Sequence, residues 1–204
     1  MAHKAKWFLI VSILWTSFFA AVQAASITPR PQSLTAQPGQ FIINADTQII
    51  VVPSNAKAHP VAAYLEAFLA TPTDWNLAVT DKPSTANAIV LHLDSTADTP
   101  ESYTLKVTPQ CIHMHASDPA GLFYAAQTLR QLLPTAIEFD VPIEGVEWTV
   151  PCVEIIDAPR YGWRGLMLDE SRHFFGKEAV LDLLDRMALY KLNRFHWHLT
   201  DEPG

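Results

Sequence analysis

Residues 161–204 read "YGWRGLMLDESRHFFGKEAVLDLLDRMALYKLNRFHWHLTDEPG", and the pattern is strand, loop, helix, strand. Trp163 to Leu168 is the first predicted strand. Lys177 to Lys191 carries Val180, Leu181, Leu184, Met187 and Ala188 at helical spacing. Glu178 at the start of that helix and Lys191 at its end both suit the helix dipole. Asn193 is the expected C-terminal cap. Arg194 to Leu199 is the second strand, with Phe195, Trp197 and Leu199 on one face and His196 and His198 on the other. A βαβ unit of this kind is expected to have parallel strands and a right-handed crossover. Both strands then end at one edge, the edge where barrels and open α/β sheets place their chemistry. Asp169, Arg172 and His173 should meet Asp201 and Glu202 there.

Upstream, the pattern is that of a small α+β domain. "SITPRPQSLTAQPGQ" reads as an extended lead-in, and "FIINADTQIIVV" as two short strands around a turn at Asn44 to Asp46. "HPVAAYLEAFLA" is a helix with Pro60 near its start and Val61, Leu65, Phe68 and Leu69 on one face. "AIVLHLD" is a strand. "SYTLKVTPQCIHMHA" is a hairpin turning at Thr108 to Gln110. "SDPAGLFYAAQTLRQLLP" is a second helix, capped by Asp118 or Ser117 and stopped by Pro134.

The first residues, "MAHKAKWFLIVSILWTSFFAAVQAAS", have the three parts of a secretory signal. Lys4 and Lys6 give a positive start, Trp7 to Ala21 an apolar core, and Val22 and Ala24 a cleavage site. The core is shorter than the roughly 20 residues of a membrane span. The expected organisation is therefore a signal at 1–24, a small domain at 25–150, and a second unit at 151–204. The protein is expected to be exported, periplasmic or secreted, with no stable membrane span once the signal is removed.

Of the 204 residues, 49% are hydrophobic and 17% charged, and the formal net charge is -7. An acidic chain without a basic run is a poor partner for nucleic acid; a sugar is compatible. Cys111 and Cys152, the two cysteines, either pair in an oxidising compartment or serve as small core residues.

Three chemistries compete at the strand edge. Arg172 offers a fork of donors suited to two adjacent oxygens, or else forms a structural salt bridge to Asp169 or Asp201. His196 and His198 form an H-x-H, which can present two metal ligands to a barrel hydrolase. Asp169-Glu170 and Asp201-Glu202 both have the look of a glycosidase carboxyl pair, although adjacent strand residues point to opposite faces.

"LMLDESRHFF" and "MALYKLNRFHWHLTDEPG" resemble the first βαβ unit of family 20 glycoside hydrolases, the β-N-acetylhexosaminidases. "SYTLKV", "AGLFYAAQTLRQLLP" and "IIDAPRYGWRG" resemble the end of that family's small N-terminal domain and its junction to the barrel. The likeness covers roughly Glu101 to Gly204. It implies an α+β N-terminal domain followed by the first βαβ unit of a truncated (β/α)8 TIM barrel. By the same resemblance, Arg172 grips hydroxyls of the terminal sugar and Asp201 supports the catalytic acid. His198 braces that region from the strand, and Arg164 is structural at the start of the barrel. Glu202 stands where many members carry a second Asp, and no catalysis is assigned to it.

The family's catalytic Asp-Glu pair lies in a motif of the type H/N-x-G-x-D-E, which does not occur in these residues. Members continue "GWR" where this chain reaches Gly204, so it is expected to be an N-terminal fragment, inactive alone. The implied reaction is exo-acting, substrate-assisted, retaining hydrolysis of terminal β-linked N-acetylglucosamine or N-acetylgalactosamine. It needs no cofactor and no metal, and its substrate is an amino-sugar oligosaccharide or glycoconjugate. The alternatives are a metal-dependent barrel hydrolase using His196 and His198, or a non-catalytic carbohydrate-binding protein.

Overall fold

The computed structural model describes residues 26–94 and 99–202. The expected signal at 1–24 lies outside the described residues. Seven strands form one mixed sheet: Ser33–Ile42 (β1), Gln48–Val51 (β2), Val79–Thr80 (β3), Ala88–Leu93 (β4), Tyr103–Val107 (β5), Cys111–Ala116 (β6) and Thr149–Asp157 (β7). Their order is β1-β7-β5-β6-β4-β2-β3. The half built from β1, β7, β5 and β6 is antiparallel, and β6, β4, β2 and β3 are mutually parallel. The predicted hairpin is β5–β6, in register from Tyr103↔Ala116 to Val107↔Ile112. The two strands around Asn44 to Asp46 do not pair with each other: β1 joins β7, while β2 joins β3 and β4.

The stretch read as an extended lead-in is largely β1. Pro38 and Gly39 interrupt its alternation, and the register shifts between Ala36 and Gln40. An edge strand tolerates this, because a proline there costs no ladder hydrogen bond. The change of character near Val150 falls inside β7, which stays in the seven-stranded sheet to Asp157.

One face of the sheet carries the core. Ile49, Ile89, Leu91, Leu105, Ile112 and Met114 are all but fully buried. They pack against the helices His59–Thr73 (α1) and Pro119–Leu132 (α2), which supply Val61, Leu65 and Leu69, and Leu122, Ala125 and Leu129. Asp118 caps α2, accepting from the Gly121 N–H at 2.8 Å, while its second oxygen accepts from the Glu101 N–H at 2.7 Å. Gly121 is where this first turn meets the sheet, and a Cβ there would run into the Ser102 carbonyl oxygen. Gly121→Ala should destabilise the domain by about 3 kcal/mol through overpacking against backbone, measured by urea denaturation.

Cys111 and Cys152 are both free and buried. Strand β5 runs between β6 and β7. Two sheet spacings separate the cysteine backbones by roughly 10 Å, beyond the roughly 7 Å a disulfide spans.

Gly165–Asp169 (β8), Lys177–Leu189 (α3) and Arg194–His198 (β9) form the βαβ unit. β8 and β9 are parallel, as expected, from Gly165↔Arg194 to Asp169↔His198. Within the predicted α3 stripe, Val180 and Met187 are buried, but Leu181 and Leu184 are exposed. α3 is tied to α2 by Arg130, whose guanidinium donates to Asp185 at 2.9 Å and to Glu138 at 2.5–2.7 Å.

Asn193 is not the cap of α3. Lys191 takes the left-handed position, with φ 60. Its N–H donates to Ala188 O and the Leu192 N–H to Met187 O, closing the helix as a Schellman motif. Glycine is the usual residue there. A lysine bears about 1–2 kcal/mol of strain, offset by what its side chain reaches.

Candidate active site

The parallel pairing brings the ends of β8 and β9 to one edge. At that edge Asp169 holds the following loop: its Oδ1 accepts from the Ser171 hydroxyl at 2.7 Å, the Ser171 N–H at 3.0 Å and the Arg172 N–H at 3.1 Å. The Ser171 hydroxyl foremost, then the two backbone N–H groups, hold the Asp169 carboxyl below its ordinary value. The Glu170 N–H extends the ladder to His198 O at 2.8 Å. The Glu170 side chain is buried, and its Oε1 accepts from the Phe175 N–H. The loop that carries Arg172 is thus closed at both ends by carboxylates of "DE".

Arg172 Nη2 lies 3.0 Å from Asp201 Oδ2, and His198 Nε2 lies 2.7 Å from Asp201 Oδ1. Asp201 therefore bridges two residues from different strand ends. The Arg172 side chain is 77% exposed. Its other guanidinium nitrogens have no protein partner among the described residues, so most of the fork is open to a ligand. Glu202 is exposed and makes no hydrogen bond among the described residues. The strand edge brings together Arg172, Asp201 and His198, and leaves Glu202 outside.

His196 and His198 do not converge. Their ring centroids are 6.2 Å apart at 80°, and His198 Nε2 is engaged by Asp201. Among the described residues no group of three or more His, Cys, Asp and Glu side chains is arranged to hold a metal ion.

Arg164 sits at the other end of β8, against the small domain. It donates to both Glu101 oxygens at 3.0 and 3.2 Å, to the Tyr124 hydroxyl at 2.7 Å and to the carbonyls of Lys191 and Tyr161. The Arg164 hydrogen bond, with help from Asn193, holds the Glu101 carboxyl below its ordinary 4.5 despite partial burial. Asn193 bonds Glu101, Gly162 O and the Arg164 N–H, which is its structural task in place of capping. Beside this cluster, the buried Lys191 ammonium donates to the Tyr103 hydroxyl at 2.7 Å and to Asp157 at 3.0 Å. Burial pushes the Lys191 ammonium below, and the Tyr103 phenol above, their ordinary ranges.

Sequence reasoning did not find Glu101, Tyr124, Tyr103 or Asp157. Glu101 and Arg164 are 63 residues apart, and no local pattern links them. Glu101's contribution to stability is complete above its ordinary 4.5 and lost as pH falls through the lower folded value. Acid unfolding of wild type and Glu101→Gln should show the wild-type advantage vanish over that window and persist at pH 7.

Comparison with known proteins follows this division. Residues 24–158 match the family described as glycosyl hydrolase family 20, domain 2, and residues 161–204 match the glycosyl hydrolase family 20 catalytic domain. A β-hexosaminidase of Porphyromonas gingivalis is 37% identical over 182 residues, covering 88% of this chain and 23% of that protein. One from Vibrio furnissii is 35% identical over 181 residues, covering 88% and 27%. Among solved structures, a mutant Streptomyces plicatus β-hexosaminidase in complex with product (GlcNAc) superposes with a TM-score of 0.78 at 39% identity, over 87% of this chain and 35% of that one. The GH20 β-N-acetylhexosaminidase of Streptomyces coelicolor A3(2) gives 0.77 at 38%, over 84% and 34%. The chain spans about a quarter of the length of these curated relatives. With an α+β domain leading into a βαβ unit, and both parts matched in order, the chain belongs to glycoside hydrolase family 20, the β-N-acetylhexosaminidases.

Proposed function

We propose that this chain supplies the N-terminal domain and the first part of the catalytic barrel of an exported, exo-acting β-N-acetylhexosaminidase. Its substrate is an amino-sugar oligosaccharide or glycoconjugate with terminal β-linked N-acetylglucosamine or N-acetylgalactosamine. The observation that carries this reading is Asp201 bridging Arg172 and His198 at the shared strand edge, with the rest of the Arg172 fork exposed. Two adjacent sugar hydroxyls match that fork. A chain end, with its hydroxyls free, fits it; a chain interior does not. His198 fixes Asp201 from the strand, so the carboxylate keeps its orientation when a ligand arrives.

The reaction this arrangement serves is substrate-assisted. The sugar's 2-acetamido oxygen attacks the anomeric carbon, and a general acid protonates the leaving oxygen. In this chain Arg172 binds and orients the sugar, and Asp201 acts on the general acid. A carboxylate near that acid disfavours its ionisation and raises its pKa. In the protein at its relatives' full length, Asp201→Asn should therefore shift the alkaline limb of the kcat/KM profile to lower pH. An unmoved limb would remove Asp201 from this role.

The 204 residues contain no H/N-x-G-x-D-E motif. Alone they should release no p-nitrophenol from the β-N-acetylglucosaminide. Release that is abolished by Asp201→Ala in this short chain would overturn the reading. Export rests on the positive start, apolar core and small-residue site of residues 1–24. Among the described residues no helix is long and apolar enough to cross a membrane. N-terminal sequencing of exported protein, beginning at Ala25, tests it.

A further inference from the structure

A cleft of about 480 Å³ opens where the lead-in, the β7–β8 linker and the end of α3 meet. It lies at the opposite end of β8 from Arg172, so five residues of strand, roughly 16 Å, separate the two places. Four of the chain's 14 lysines and arginines line it: Arg30, Arg160, Arg164 and Lys191. That concentration is unexpected on a chain with a formal net charge of -7.

The carboxylates nearby are already satisfied. Asp157 Oδ2 accepts from the Tyr103 hydroxyl at 2.9 Å and Lys191 Nζ at 3.0 Å; its Oδ1 accepts from the N–H groups of Ala158 and Gln32. Glu101 is held by Arg164 through both oxygens. Lys191 and Arg164 are thereby compensated. Arg30 and Arg160 are not: both are exposed, and neither has a carboxylate partner among the described residues. The Arg160 guanidinium lies over the Tyr161 ring, 5.6 Å from its centroid. Tyr161 is itself 64% exposed, so a ring face is available beside the charge.

We infer that this cleft binds a small anionic sugar, one carrying a sulfate or a carboxylate, with Arg30 and Arg160 holding the anion and Tyr161 holding the ring. Two uncompensated cations on one rim select a negative group. The exposed Tyr161 ring beside Arg160 favours a ring over a bare ion. The site does not depend on the hydrolytic activity proposed above.

Calorimetric titration of the protein carrying Arg172→Ala, which removes sugar binding at the strand edge, with N-acetylglucosamine 6-sulfate, glucuronic acid, N-acetylglucosamine and inorganic sulfate tests the inference. Saturable binding of at least one charged sugar is expected, at least about tenfold tighter than the neutral sugar or sulfate. The double substitution Arg30→Ala/Arg160→Ala should weaken it at least about tenfold, with each single substitution giving part of the loss. Neither side chain makes a hydrogen bond among the described residues, so the variants should melt as wild type does. This binding should persist with Arg172 replaced, which separates it from the strand-edge site. No binding, equal binding of the neutral sugar or of sulfate alone, or binding indifferent to Arg30 and Arg160 would overturn the inference.

Discussion

Arg172→Ala, in the protein at its relatives' full length, is expected to lower kcat/KM for a terminal β-linked N-acetylglucosaminide at least tenfold. Among the described residues the side chain makes one ion pair, to Asp201 at 3.0 Å, and is otherwise open. A hydrogen bond to a charged group contributes about 1.5–3 kcal/mol, and 1.4 kcal/mol is about tenfold. Losing the fork removes at least one such bond to the sugar. It also leaves Asp201 held by His198 alone. Arg172→Lys should recover little, because an ammonium cannot reproduce two parallel N–H donors. Steady-state kinetics on a chromogenic substrate checks both variants; near-wild-type values would remove Arg172 from substrate binding.

Glu101→Ala should destabilise the protein by about 3 kcal/mol. Arg164 is 13% exposed and Glu101 21%, so the pair is largely shielded from water. Removing the carboxylate takes the acceptor from the Tyr124 hydroxyl and the counter-charge from the guanidinium, which keeps only the neutral Tyr124, Lys191 and Tyr161 oxygens. Breaking a buried pair on one side costs about 3–5 kcal/mol, and the residual exposure of both partners places this case at the lower end. Glu101→Gln keeps an acceptor for one donor and should cost less. Thermal or urea unfolding of the two variants gives the order, and equal stability of wild type and Glu101→Ala would mean that the junction holds without this pair.

Much of the fold was legible because several elements carry their own signals. The β5–β6 hairpin alternates cleanly, and α2 has a cap at Asp118, a proline just inside and a stop at Pro134. β1 was obscured because Pro38 and Gly39 break its alternation, and only its place at the sheet edge makes that acceptable. The cap of α3 was misread because lysine is a poor left-handed residue in isolation. Lys191 is retained there by hydrogen bonds to Tyr103 and Asp157, residues of the other domain.

At the strand edge, parallel pairing brings Arg172 to Asp201, but His173 packs on Phe175 and Glu202 stays outside, so only part of the expected group meets. Which carboxylate does what was not legible. Asp169 and Glu170 turn inward to hold the loop, while Asp201 faces the arginine, and this division depends on loop geometry. The Arg164 cluster joins residues from four separate segments, and such long-range pairs leave no trace in spacing.

The most direct measurement is the pattern of products from end-labelled chitooligosaccharides treated with the protein at its relatives' full length. Single N-acetylglucosamine units should leave from the non-reducing end only, and Arg172→Ala should suppress that release. Cleavage within the chain, or release unaffected by Arg172→Ala, would contradict a terminal sugar seated on Arg172.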